Sequence, residues 1–191
     1  MASPRRLIVG MSGASGAQLG IRLLEKLQTV EGWETHLVLS NGARRTIHEE
    51  TDRTVAEVEA MARVVHPQAD IGASIASGTF RTAGMVIVPC SMKTLAGVAN
   101  GFSENLILRA ADVVLKERRK LVLVARETPL SLIHLRNMTS AVEAGAILLP
   151  PMISFYQQPK TVEEITDHVV GKILDVFEID MPGFRRWKEL E

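Results

Sequence analysis

The chain carries a single cysteine, Cys90, among its 191 residues. One thiol cannot close an internal disulfide, and this usage points to a reducing, cytoplasmic compartment. Net charge is missing too, since 22 Lys and Arg balance 22 Asp and Glu. That balance argues against a general nucleic-acid binder or a strongly basic membrane-surface protein. Any affinity for phosphate must therefore come from local placement of donors. Long apolar runs are absent. Arg5 and Arg6 precede a hydrophobic stretch that breaks at Gly10, too short for a signal segment and far too short to span a bilayer. No repeat or low-complexity segment occurs. The histidines at 36, 48, 66, 134 and 168 have no ligand spacing, so no metal site is expected.

What is present is an ordinary globular composition, 46% apolar and 23% charged, in a length that suits one domain over 1–191. Short apolar runs at 7–10, 33–40, 84–90, 120–125 and 146–150 read as strands buried on both faces of a parallel sheet. Helical patterns separate them. One carries Leu19, Leu23, Leu24 and Leu27 on a single face, and a second covers 42–50. Others start at Thr54 with capping-box spacing to Glu57, and at Ser103. A further helix runs from Ser131 to Ala144 and stops at Gly145. The last opens with a second capping box, Thr161 and Glu164, and runs to about Ile179. Residues 65–83 are the least regular stretch, and their small side chains suit close approach to a flat ligand or a neighbouring subunit. The predicted fold is α/β: a doubly wound, Rossmann-like or flavodoxin-like parallel sheet with helices on both faces.

In such sheets ligands bind outside the carboxyl ends of the strands. The stretch LIVGMSGASGAQLG (7–20) there joins a buried strand, a Gly/Ser turn and a helix start, a ready anion site. Its glycines at 10, 13 and 16 do not make the G-x-G-x-x-G dinucleotide fingerprint, and the second strand ends in Ser40 and Asn41 without an acid for a ribose. A mononucleotide such as FMN fits better than NAD; the plain alternative is a tight turn that binds nothing. Ser12, Ser15, Ser40, Ser91, Lys93, Thr94 and Arg126 fall at the same edge, and donors dominate, as a phosphate and a flavin ring edge require. Glu127 is the outlier, readable as an ion pair with Arg126 or as a proton acceptor. Cys90 reads as a small buried hydrophobe. Arg109 and Lys116, seven apart, read as a solvated helix stripe. Tyr156 either covers the core or donates to a phosphate.

Taken together, MSGASGAQLG, ASIASGTF, VIVPCSMKTLAGV, RAADVVLKERRKLVLVARETPLSLIHLRNM and LPPMISFYQQP resemble the UbiX-type flavin prenyltransferases, in order, from about Arg5 to Trp187. The B partner of bacterial hydroxyaryl and phenolic acid decarboxylase systems belongs to the same family. The resemblance implies transfer of a dimethylallyl group from dimethylallyl monophosphate to N5 and C6 of reduced FMN. The product, prenylated FMN, is the cofactor of a separate UbiD-type decarboxylase. Implied FMN contacts are Gly13, Ala14, Ser15, Ser40, Ser91, Met92, Lys93, Thr94 and Arg126. Tyr156 and Lys172 match prenyl-phosphate contacts, with Arg109 and Lys116 at further basic positions of that pocket. Glu50 and Glu127 match the acids of the chemistry, in which Ser15 and Lys116 share. The family uses no metal and forms homo-oligomers, typically dodecamers, whose sites neighbouring subunits complete. Two departures stand out: Lys172 where many relatives carry Arg, and Ile71 where some carry Trp. The recipient pathway, ubiquinone synthesis or aromatic-acid breakdown, stays open. Two competing readings are an FMN-dependent cysteine decarboxylase relative and a non-catalytic flavin carrier for a decarboxylase. The first needs a catalytic His and a cysteinyl clamp that the sequence does not locate; the second has no use for Glu127, Lys116 and Lys172 together.

Overall fold

A computed structural model of the chain describes residues 4–184, so Trp187, where the family resemblance ends, lies outside the described residues. Six parallel strands form the sheet: β1 (Arg5–Met11), β2 (Trp33–Leu39), β3 (Val64–His66), β4 (Gly84–Cys90), β5 (Lys120–Ala125) and β6 (Ile147–Leu148). Their spatial order is β3-β2-β1-β4-β5-β6. The helices are α1 (Ala17–Gln28), α2 (Asn41–Glu50), α3 (Val55–Glu59), α4 (Met92–Ala99), α5 (Leu106–Lys116), α6 (Leu132–Glu143) and α7 (Val162–Val176). The chain winds outward from β1 to β3, then returns past β1 to β4 and winds the other way. A crevice therefore opens at the carboxyl ends of β1 and β4, where the order reverses.

Helices cover both faces, so the central strands β1, β4 and β5 are apolar beyond their first residues; β4 is buried along its whole length. Period-two alternation splits the core. Leu7, Val9 and Met11 face α1 and α7, whereas Ile8, Met85 and Ile87 face α4 and α5. Side-chain caps set most helix starts: Ser40, Thr54, Ser91, Asn105, Ser131 and Thr161 each accept a first-turn N–H.

Several local expectations are corrected. The helix expected from Ser103 begins at Leu106, because the Asn105 side chain accepts the Leu108 N–H. The capping box expected at Thr161 is half formed. Its hydroxyl accepts the Glu164 N–H, but the Glu164 carboxylate turns to the Lys160 N–H at 2.6 Å. An unexpected box closes α6, where His134 Nδ1 takes the Ser131 N–H and replaces the usual acid. The helix expected to reach Ile179 ends at Val176, and the last strand keeps two residues. The irregular stretch hides β3, whose His66 ring shares a 2.9 Å hydrogen bond with His36 of β2. Ala73, Ile75 and Ala76 of that stretch join the core beneath α5, so they wait for no ligand. Arg119 pins its end by donating to the Gly78 and Phe80 carbonyls.

Gly84 opens β4 with φ +148°, and a Cβ there would lie 2.2 Å from the Lys120 carbonyl oxygen of β5. Neither the backbone angle nor the neighbouring strand tolerates a side chain. We expect Gly84→Ala to lower unfolding free energy by about 2 kcal/mol or more, measured by urea denaturation.

Candidate active site

The loops after β1, β2 and β4 touch through backbone. A Cβ on Gly13 would sit 2.8 Å from Gly42 Cα, so glycine at 13 is required by the approach of α2. Ser12 is buried, and its hydroxyl donates to the Pro89 carbonyl at 3.0 Å while accepting the Ser91 N–H at 2.8 Å. The sequence reading counts Ser12 among the ligand donors; here it is a strut that ties the β1 loop to the start of α4.

The anion site at the start of α1 is filled by the protein itself. Glu50, the last residue of α2, accepts the Gly16 and Ala17 N–H groups at 2.8 and 2.9 Å. Burial pushes this carboxyl up. The two backbone N–H groups, the Ser15 hydroxyl and the Arg126 charge outweigh that effect and hold it below the ordinary value of 4.5. Those two N–H groups therefore serve Glu50, which corrects the expected position of the phosphate cradle. The starts of α2 and α4 remain. Ser40 and Ser91 accept from Ala43 and Thr94, and each keeps a hydroxyl proton to donate; that of Ser91 is within 3.1 Å of Thr94 Oγ1. Among the described residues, the Met92 and Lys93 N–H groups meet no acceptor beyond the helix start. A recess of about 470 Å³ opens beside them, lined by Asn41, Arg44, Gln68, Lys93 and Asn105 and by one acid, Glu104. Gln68 was not singled out in sequence; its side-chain oxygen accepts the Asn41 N–H at 3.0 Å and steadies this wall. With Gly13 packed on Gly42 at the start of α2, these donors fit the phosphate end of a mononucleotide.

Arg126 and Glu127 follow β5. The Arg126 N–H donates to the Cys90 carbonyl at 3.2 Å, which aligns this loop with the others, and its charge acts on Glu50. Among the described residues Glu127 forms no ion pair. It is exposed, and its carboxylate accepts the Thr128 N–H at 3.0 Å. The ion-pair reading is corrected accordingly. Cys90 is wholly buried, and burial pushes its thiol up to about 12, so it packs as a small hydrophobe.

Four site residues remain. Arg109 of α5 pairs with Asp112 at 2.9 Å. Lys116 ends α5 at the sheet's amino edge, paired with Glu117 beside Gly78. A seven-residue strand separates that edge from the loops by about 20 Å. Tyr156 and Lys172 line a cavity of about 330 Å³ beside β6, with Ser154 and His168, and it includes neither Ser15 nor Glu50. Tyr156 is half exposed and meets His168 edge-on, so it does not cover the core. Among the described residues no three His, Cys, Asp or Glu side chains gather as a ligand set.

The Glu50 carboxylate yields a pH prediction. Its folded pKa lies below its unfolded value, so its contribution is complete above about pH 4.5 and is lost as pH falls through the folded value. Glu50→Gln is expected to lower stability by about 1 kcal/mol at pH 7. The gap to wild type should close on acidification, in denaturation curves recorded from pH 7 to pH 3.

Comparison with known proteins agrees with this geometry. The family model Flavoprotein matches residues 1–176. The chain is 62% identical over 182 residues to a probable UbiX-like flavin prenyltransferase of Streptomyces sp. (strain D7), covering 95% of this chain and 91% of that one. The crystal structure of AnUbiX (PadA1) in complex with FMN and dimethylallyl pyrophosphate superposes with a TM-score of 0.95 at 51% identity, over 98% of this chain and all (100%) of that one. A dodecameric FMN-dependent UbiX-like decarboxylase from Escherichia coli O157:H7 gives 0.94 at 52% identity, over 96% and 99%. Among the described residues no helix is long and apolar enough to cross a membrane. A six-stranded sheet of this order, a family model over most of the chain and relatives of this identity lead to one conclusion: the chain belongs to the UbiX-like flavin prenyltransferases of the flavoprotein family.

Proposed function

We propose that Ser15, Glu50, Arg126 and Glu127 form the reacting centre of this flavin prenyltransferase, and that the starts of α2 and α4 hold FMN. The enzyme is a transferase that joins a dimethylallyl group to N5 and C6 of reduced FMN. Prenylated FMN then serves a UbiD-type decarboxylase. Reduced FMN supplies the nucleophilic atoms. The observation that carries the site assignment is the Glu50 carboxylate, fixed on the Gly16 and Ala17 N–H groups within reach of Ser15.

A carboxylate held ionised there favours positive charge on an allylic carbon as its C–O bond to phosphate breaks. Ser15 accepts or passes a proton beside it. Arg126 counters the negative charge of the departing phosphate and of Glu50. To Glu127, free of an ion pair among the described residues, we assign removal of the proton from C6. We assign Gly13, Ala14, Ser40, Ser91, Met92, Lys93 and Thr94 to FMN binding. Dimethylallyl monophosphate is the donor of this reading, and the whole of 1–191 is one flavoprotein domain working in the cytoplasm.

Arg109, Lys116, Tyr156 and Lys172 enter the site from neighbouring copies. The separation of Lys116, Tyr156 and Lys172 from Ser15 within one chain supports this for those three, as does a broad apolar surface. Leu132 and Ile133 of α6 are 60% and 67% exposed, and Met152 and Phe155 are 74% and 76% exposed. Such a belt on a globular chain marks an interface. Continuity with a homo-oligomer, a dodecamer as in the Escherichia coli relative, follows.

Anaerobic incubation with FMN, dithionite and dimethylallyl monophosphate should release a flavin heavier by one cyclised dimethylallyl unit, read by mass spectrometry. Unchanged FMN with both the monophosphate and the diphosphate would sink this reading. Glu127→Gln should slow product formation by about a hundredfold or more. For the interface, Ile133→Glu should weaken assembly by about a hundredfold, seen as smaller species in analytical ultracentrifugation. An assembly of unchanged size would remove α6 from the contact.

A further inference from the structure

The cavity beside β6 contains a titratable group with no part in the scheme above. His168 lies on α7 one turn before Lys172, and both line that cavity with Tyr156. Its ring meets Tyr156 edge-on at 5.8 Å between centroids and Phe184 at 5.7 Å. Its Nδ1 is sealed from solvent and has no hydrogen-bond partner among the described residues. A sealed, unmatched ring nitrogen is costly, and such groups persist where something outside the resting structure meets them.

We propose that His168 is a third residue of the phosphate pocket formed by Tyr156 and Lys172, and that it takes up a proton when the donor's phosphate binds. The proposal rests on the assignment of Tyr156 and Lys172 to that phosphate. Burial lowers the basicity of the imidazole, and the Lys172 ammonium acts in the same direction. The ring is therefore neutral at pH 7 in the free protein. A phosphate monoester brings nearly two negative charges at neutral pH, offsetting Lys172 and favouring the imidazolium. The proton comes from solvent and adds to a ring nitrogen, and no bond in the donor breaks in this step.

Of the other charges near the ring, the two carboxylates are already engaged. Glu164 and Asp167 of the same helix, with Lys160, line a recess that His168 also borders. Asp167 is held by Arg22 and Lys26 of α1, with its carboxyl lowered chiefly by the Arg22 hydrogen bond, and Glu164 accepts from the Lys160 backbone. The arriving phosphate is thus the group that changes the balance at His168.

Dimethylallyl monophosphate can be titrated calorimetrically into the oxidised-FMN protein, which does not turn over, in two buffers of different ionisation enthalpy. Wild type, His168→Gln and His168→Phe are compared; the phenylalanine keeps a ring against Tyr156 and Phe184, and melting and oligomer size identify a folded variant. Ionisation of the donor itself is common to all three and cancels in the differences. Wild type should take up more protons at pH 7, by up to about one per site. Its affinity should also fall about tenfold more than that of the variants between pH 6 and pH 8. Equal proton uptake and parallel affinity profiles would overturn the proposal. Lys172→Ala separates the two levels. Unchanged donor affinity there would refute the pocket assignment and the role of His168 with it. Weaker binding in Lys172→Ala, alongside equal proton uptake in wild type and the His168 variants, would refute His168 alone.

Discussion

The close packing of α2 along the 13–17 loop is the contact on which the site depends. At one end Gly42 meets Gly13 with no room for a side chain between them. At the other, Glu50 caps Gly16 and Ala17. Ten residues of helix span about 15 Å, enough to bridge the loop from end to end. The loop is thereby held at both ends before any ligand arrives, and Ser15 is left between them with its hydroxyl beside the carboxylate. Ser12 extends the same rigidity across the sheet by fixing the Ser91 N–H at the head of α4. Preorganisation of this kind places charge where it is needed without reorganisation during reaction.

Much of this was legible in the sequence because it is written in short-range pattern. Apolar runs gave the central strands, and Thr54, Ser131 and Thr161 gave helix starts within a residue or two. Several errors arise where the deciding partner lies far along the chain or is chemically unexpected. Glu50 stands 34 residues from the N–H it occupies, so a Gly/Ser turn alone could not reveal that its donors were taken. Ser12 looks like any other loop serine until Pro89 and Ser91, 77 and 79 residues away, are brought to it. His134 closes a capping box that a search for Glu or Gln passes over. Strand β3 is three residues long and depends on a cross-strand histidine pair. The family resemblance carried the remote residues Arg109, Lys116, Tyr156 and Lys172, whose grouping no periodicity in one chain could supply.

Their placement explains a feature that composition left puzzling. A chain with no net charge is proposed to bind two phosphorylated molecules. Within the chain the cations are dispersed: Lys93 and Arg126 lie at the carboxyl edge, Lys116 at the amino edge, and Lys172 beside β6. Assembly through the exposed apolar surface of α6 and residues 152–155 would gather them where one subunit has few. Local positive potential then arises from geometry, and each free subunit avoids the self-repulsion of a basic cluster.

The fixed carboxylate also constrains where the two phosphates can go. Glu50 occupies the α1 terminus, and a phosphate brought against it would meet like charge in a partly desolvated corner. On the proposed assignment FMN phosphate goes to the starts of α2 and α4, and the charge of Arg126 acts on Glu50. On the same assignment the donor's phosphate is drawn away from Glu50, towards the proposed lysines and arginines on the far side of its allyl group. Such an arrangement puts an anion at one end of the allyl group and cations at the other. The field between them favours cleavage of the C–O bond in a single direction, with the developing allylic charge left next to the carboxylate.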